Sequence, residues 1–94
     1  MKKSMLDVIK TGKKYETEHF IFYVKHTENL RIGFRFSSTF AKAVTRNRIK
    51  RIFRKLIREN VQSGDLVIRA KGKSKILTQK DVEQEWKSIA GKIL

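Results

Sequence analysis

Residues 30–37 read LRIGFRFS and residues 43–60 read AVTRNRIKRIFRKLIREN, and the change of period between these two stretches decides the fold. In the first, Leu30, Ile32, Phe34 and Phe36 alternate with Arg31, Gly33, Arg35 and Ser37. A period of two makes a strand, with one apolar face and one face carrying two arginines. In the second, Ile49, Ile52, Phe53, Leu56 and Ile57 recur at the i, i+3, i+4, i+7, i+8 spacing of an amphipathic helix.

Working outward, residues 20–26 are aromatic and β-branched, a strand composition, and Thr27-Glu28-Asn29 is a turn. Ser63-Gly64-Asp65 ends the long helix, and Leu66 to Ala70 forms a further strand. The segment 13–18 is compatible with a short extra strand. Ser4 with Asp7 resembles a capping box opening an N-terminal helix, with Met5, Val8 and Ile9 as its apolar stripe and Gly12 as its end. Thr78 with Asp81 repeats that pattern and opens a last helix facing Val82, Trp86, Ile89, Ala90 and Ile93 inward. The order α-β-β-α-β-α predicts a small α+β two-layer sandwich, its helices packed on one sheet, with residues 1–94 forming a single domain.

Composition narrows the function. Of 94 residues, 39% are hydrophobic, enough for one core. No apolar run is long enough to span a bilayer, and no apolar signal segment follows the N-terminal lysines. Cysteine is absent, which excludes disulfides and thiolate metal sites. A cytoplasmic location is expected. Lys and Arg number 23 against 9 Asp and Glu, for a net charge of +14. Such a surface attracts polyanions.

The charge is concentrated. Residues 29–58 contain no acid, and ten of them are Lys or Arg. Seven of those ten lie on the long helix: Arg46, Arg48, Lys50, Arg51, Arg54, Lys55 and Arg58. On a helical wheel Asn47, Arg51, Arg54 and Arg58 align opposite the apolar face. Arg48 and Lys55 flank one side and Lys50 the other; Arg46 falls toward the apolar flank, so either the helix starts after it or its stem snorkels. Between residues 46 and 58 the i,i+3 and i,i+4 spacings give seven like-charge pairs and no opposite one. At a few tenths of a kcal/mol each, the repulsion is on the order of 2 kcal/mol at low salt. Basic residues near the helix start also oppose its dipole. Folding does not explain this pattern, whereas a polyphosphate partner does, because each neutralised phosphate releases counterions. A merely solvated face normally mixes signs. A membrane-lying helix would need the apolar side that the sheet requires.

Other chemistry is poorly supported. His19 and His26 read as surface residues, without an acidic cluster at metal-ligand spacing. No gathered base and phosphate-binding groups mark a nuclease site in the chain itself. Trp86 fits core packing, and Lys71–Lys75 reads as a solvated basic loop.

The stretch Ala43-Val44-Thr45-Arg46-Asn47-Arg48-Ile49-Lys50-Arg51-Ile52-Phe53-Arg54 closely resembles the signature of the protein subunit of bacterial ribonuclease P. Phe20 to Val24 resembles that family's aromatic strand, and Leu30-Arg31-Ile32-Gly33 its following strand opening; Leu66 to Ala70 falls where its last strand is expected. The resemblance implies a fold like domain 2 of ribosomal protein S5, with a left-handed βαβ crossover, against the usual hand. It implies an endoribonuclease subunit for tRNA processing, partnered with ribonuclease P RNA and precursor tRNA and with no membrane or obligate protein partner. The RNA subunit would hold the Mg²⁺ ions and cleave the phosphodiester that frees the 5′ leader.

Carried onto this chain, Arg46, Asn47, Arg48, Lys50, Arg51 and Arg54 would face the catalytic RNA, with Lys55 and Arg58 extending the same helix face. Asn47 would fix a loop-to-helix turn or hold one RNA group; a simple cap is the plainer reading. Tyr23, Arg31 and Arg35 would contact the leader in a cleft between the first helix and the sheet, Tyr23 by stacking on bases. Phenylalanines common on the family's first helix are replaced here by Met5 and Ile9, and its lysines after the second matched strand by Ser38 and Thr39. The alternatives are a non-catalytic ribosomal or general RNA-binding protein, and a DNA-binding basic helix that lacks an evident helix-turn-helix partner.

Overall fold

The alternation of residues 30–36 gives an edge strand with two unlike faces, while the runs at 20–24 and 66–68 are apolar on both sides and need cover on each face of the sheet. The computed structural model describes residues 2–72 and 78–93, with side chains from Asp7 onward. Helix α1 spans Lys2–Thr11, followed by strands β1 (Lys13–Glu16), β2 (Phe20–Lys25) and β3 (Leu30–Arg35). Helix α2 spans Ala43–Asn60, strand β4 Gly64–Ala70 and helix α3 Gln79–Ile93. The segment 13–18 thus does supply a strand, and the order is α-β-β-β-α-β-α.

The sheet order is β1-β2-β4-β3. β1 pairs antiparallel with β2, and β2 with β4. β3 runs parallel to β4, with α2 as the connection between them. The last strand in sequence is therefore inserted beside the centre, and β3 becomes an edge carrying Arg31 and Arg35. Charged side chains on such an edge discourage pairing with another chain.

One face of the sheet holds the main core. Phe20, Phe22 and Val24 of β2 and Leu66 and Ile68 of β4 pack against Ile49, Phe53 and Ile57 of α2 and Val82, Trp86 and Ile89 of α3. Phe53 sits edge-on to Phe20 with ring centroids 4.9 Å apart and to Phe22 at 5.6 Å. Phe40, in the connection before α2, is also fully buried, 5.9 Å from the Phe20 ring; sequence periodicity did not single it out because it lies outside any regular element.

Helix α1 covers the opposite face. Val8 packs with Tyr23 and Val67, with Ile9 and Ile21 at the margin. The two-layer body of sheet, α2 and α3 thus gains a partial third layer over β2 and β4. Ser4 does not cap α1, since the helix already includes Lys2 and Lys3. Asp7 instead pairs with Lys25 of β2, and the Met5 side chain lies outside the described residues. Gly12 ends α1 where only glycine fits: a Cβ there would lie 2.5 Å from the Val8 carbonyl oxygen and 2.9 Å from that of Val24.

At α3 the capping box forms as expected. The Thr78 N–H donates to Asp81 Oδ2 at 3.0 Å, and the Asp81 N–H donates to Thr78 Oγ1 at 3.2 Å. These bonds hold the Asp81 carboxyl below its ordinary pKa.

Candidate RNA-binding surface

Eighteen residues of unbroken helix carry the basic motif, Ala43–Asn60. The helix buries Ile49, Phe53 and Ile57, which fixes its rotation on the sheet and points the opposite face to solvent. Asn47, Arg48, Arg51, Arg54, Lys55 and Arg58 are exposed, whereas Arg46 and Lys50 are half-buried at the margins. From Arg46 to Arg58 the cationic band runs about 18 Å at the helical rise.

The Arg46 N–H donates to the Lys42 carbonyl at 2.9 Å, so regular helix begins before Arg46. Of the two ways to accommodate that residue, the snorkelling stem is the one the structure takes. Asn47 is correspondingly neither a cap nor a turn residue. It lies in the second turn, because Lys42 occupies the N-cap position, without any side-chain capping bond. The first turn contains no acid, and its dipole faces only cations.

All nine acidic side chains of the protein are among the described residues. Their ion pairs go elsewhere: Asp7 to Lys25, Glu16 to Lys14 and Lys71, Asp65 to Arg31, and Glu85 to His19. Arg46, Lys50, Arg51, Arg54, Lys55 and Arg58 form no ion pair among the described residues. Arg54 alone of these six rests on an aromatic ring, its guanidinium carbon 5.2 Å from the Phe34 centroid. That stacking aims a planar fork of donors outward from the helix edge. The band is bounded on its α3 side by a groove lined by Arg51, Lys55, Glu59 and Glu83, where the charge becomes mixed.

The outer face of the sheet departs from the expected leader cleft in two respects. Tyr23 is only 7% exposed and packs beneath α1 against Val8 and Val67. It forms part of the floor under the helix, not an open stacking platform. Arg31 is not a free cation either. Its Nε and Nη2 donate to the two Asp65 oxygens, both at 2.8 Å. Asp65 is the buried partner, its carboxyl held below the ordinary range by the Arg31 hydrogen bonds against the opposing effect of burial. Arg31 thereby braces β3 against β4 and brings no net charge, although its remaining N–H groups stay available. Arg35 is exposed on the same face.

Three further features escaped the sequence reading. His19 is not a simple surface residue: its Nδ1 lies 2.9 Å from Glu85 Oε2, and its backbone N–H donates to Glu85 Oε1 at 2.7 Å. Together they tie the β1–β2 connection to α3; residues 66 positions apart leave no local pattern. Arg69 stands exposed on β4 as its one cation, following the apolar run Leu66–Ile68, which was the available signal. Lys71 bonds Glu16 at 2.7 Å and the Thr17 carbonyl at 3.1 Å, so it is a structural tether; residues 73–75 of that loop lie outside the described residues.

Among the described residues no three His, Cys, Asp or Glu side chains gather to hold a metal ion. No described helix is long and apolar enough to cross a membrane.

A small α+β body bearing a rigid cationic helix, six of whose basic residues form no ion pair among the described residues, defines a protein of the RNA-binding ribonucleoprotein class. Comparison with known proteins then gives the particular family. The family model "Ribonuclease P" matches residues 2–94. The chain is 34% identical over 90 residues to the ribonuclease P protein component of Syntrophus aciditrophicus, covering 89% of this chain and 76% of that one. Against the corresponding protein of Finegoldia magna it is 37% identical over 81 residues, covering 81% and 72%. Its fold matches the solved ribonuclease P protein of Staphylococcus aureus with a TM-score of 0.83 at 21% identity, over 97% of this chain and 89% of that one. The Thermotoga maritima protein matches with a TM-score of 0.82 at 22% identity, over 99% and 96%. This chain belongs to the family of bacterial ribonuclease P protein components, and ribonuclease P RNA is the partner that membership implies.

Proposed function

We propose that this protein binds ribonuclease P RNA through the exposed face of α2 and, in that complex, assists Mg²⁺-dependent removal of the 5′ leader from precursor tRNA in the cytoplasm. The observation that carries this reading is the cationic band from Arg46 to Arg58, where six of the seven basic residues have no carboxylate partner among the described residues. Arg51, Arg54 and Arg58 present planar donor forks to phosphate, Arg46, Arg48, Lys50 and Lys55 widen the band, and Asn47 offers one neutral amide within it.

The leader would pass over the outer sheet face beside α1, where Arg35 supplies charge, Arg31 its spare donors and Tyr23 the floor. Bond cleavage belongs to the RNA subunit in this reading, with the Mg²⁺ ions held by RNA oxygens. The protein's part is electrostatic: it lowers the repulsion between two polyanions.

Precursor-tRNA cleavage by the cognate RNA, with and without protein at low Mg²⁺, tests this. The protein is expected to raise the cleavage rate and to tighten binding of leader-bearing substrate more than of mature tRNA. No change in either quantity, together with co-sedimentation of the chain with ribosomal subunits, would assign it instead to ribosomal RNA binding.

A further inference from the structure

The outer face of the β3–β4 pair repeats one arrangement twice with opposite outcomes. In the parallel register Arg31 stands opposite Asp65, and four residues further along both strands Arg35 stands opposite Arg69. The first rung closes on itself through the bidentate ion pair. The second consists of two arginines on neighbouring strands about 4.8 Å apart, and about 13 Å along the strands from the first. Both are exposed, and both lie on the face away from the main core, since Phe34 and Ile68 between the rungs point into it. Neither makes an ion pair with any of the nine acids, all of which are described.

Across the sheet this rung continues through Ile21 of β2 to Glu16 of β1. Glu16 is two strands from Arg69, about 10 Å away. It is already engaged by Lys71 at 2.7 Å and Lys14 at 3.8 Å, and the Lys71 hydrogen bond holds its carboxyl below the ordinary range. Like charges directly opposite in a ladder destabilise it. Gly33, between Arg31 and Arg35, is buried, and α1 packs on β2 and β4. The rung itself stays accessible through the exposed Arg35 and Arg69.

We propose that Arg35 and Arg69 form a two-arginine clamp for one phosphodiester of a single-stranded RNA, the substrate leader passing over the Arg35 end of β3, with Arg69 as an additional positioning residue. Two forks on adjacent strands in register suit a phosphate with two non-bridging oxygens. The identification of the strand as leader rests on the function proposed above; the phosphodiester assignment rests on the rung alone.

The test uses the full chain with Arg35→Ala, Arg69→Ala, the double variant and Arg69→Asp. Binding is measured to a short single-stranded RNA of leader sequence, to that RNA with one neutral methylphosphonate linkage moved along it, and to ribonuclease P RNA. Each alanine variant is expected to weaken single-strand binding on the order of tenfold, and the double variant to lower the salt slope by about 0.7, the contribution of one phosphate. One methylphosphonate position should weaken wild type but leave the double variant unaffected. Affinity for ribonuclease P RNA should stay unchanged. Arg69→Asp should raise the melting temperature, by rebuilding the neutral rung of Arg31 and Asp65, while abolishing the single-strand interaction.

Unchanged single-strand affinity, or no sensitive linkage, overturns the clamp. A melting temperature lowered by both Arg69→Ala and Arg69→Asp overturns it as well, by making Arg69 a support of the fold. Displacement of the RNA by millimolar inorganic phosphate alone would reassign the rung to small anions. Failure of wild type to bind ribonuclease P RNA refutes the proposed function separately, leaving the single-strand result to decide the clamp.

Discussion

Replacing Arg51 and Arg54 together by alanine separates the folding role of α2 from its binding role. Both side chains are exposed on a helix anchored by Ile49, Phe53 and Ile57. The substitutions remove five of the seven like-charge spacings: Arg48–Arg51, Lys50–Arg54, Arg51–Arg54, Arg51–Lys55 and Arg54–Arg58. At about 0.2–0.5 kcal/mol each, their relief stabilises the helix by about 1–2 kcal/mol at low salt. Against this stands the stacking of Arg54 over the Phe34 ring at 5.2 Å, worth about 0.5–1 kcal/mol at an exposed site, which alanine cannot make. The balance is a gain of about 0.5–1 kcal/mol, or a melting temperature higher by about 4 °C. The gain should shrink as salt screens the charges. RNA binding moves the other way: the slope of log affinity against log salt should fall by about 2 units, roughly one per phosphate no longer neutralised. Thermal melting at low and high salt, paired with a salt titration of affinity for ribonuclease P RNA, reads both quantities. A melting temperature lowered by several degrees, or an unaltered salt slope, would refute the reasoning, because either places these arginines in the fold and not on the RNA.

Two other perturbations probe the scaffold. Asp65→Asn removes the ionised partner of Arg31; because that pairing lowers the folded pKa of Asp65, its contribution is present above the ordinary aspartate value of about 3.9 and fades as pH falls below it. Wild type should therefore lose part of its stability below about pH 4 that the variant never had, which urea melts across about pH 3–6 would reveal as converging curves. Gly12→Ala puts a methyl group 2.5 Å from the Val8 carbonyl oxygen, and the forced shift of α1 should destabilise the protein by about 1–3 kcal/mol in urea unfolding.

Local chemistry was enough to read much of this molecule. The three-to-four spacing of Ile49, Ile52, Phe53, Leu56 and Ile57 set both the existence and the rotation of α2, so its cationic face was visible in the sequence. The capping box of Thr78 and Asp81 marked the start of α3 for the same reason: its partners are three residues apart. At α1 the same pattern misled, because Ser4 lies within a helix that starts at its N-terminal side and Asp7 finds Lys25 across space.

By itself, then, the sequence determined which segments would be helix and strand, which faces would be greasy, and where positive charge would collect, since each depends on neighbours within a turn or two. Only the tertiary structure decided what each exposed charge faces. Insertion of β4 between β2 and β3 puts Asp65 beside Arg31 and Arg69 beside Arg35, so one arginine is neutralised and the other is left facing a like charge. Side chains 34 residues apart in sequence meet through strand register, and register is fixed by burying a whole apolar face at once.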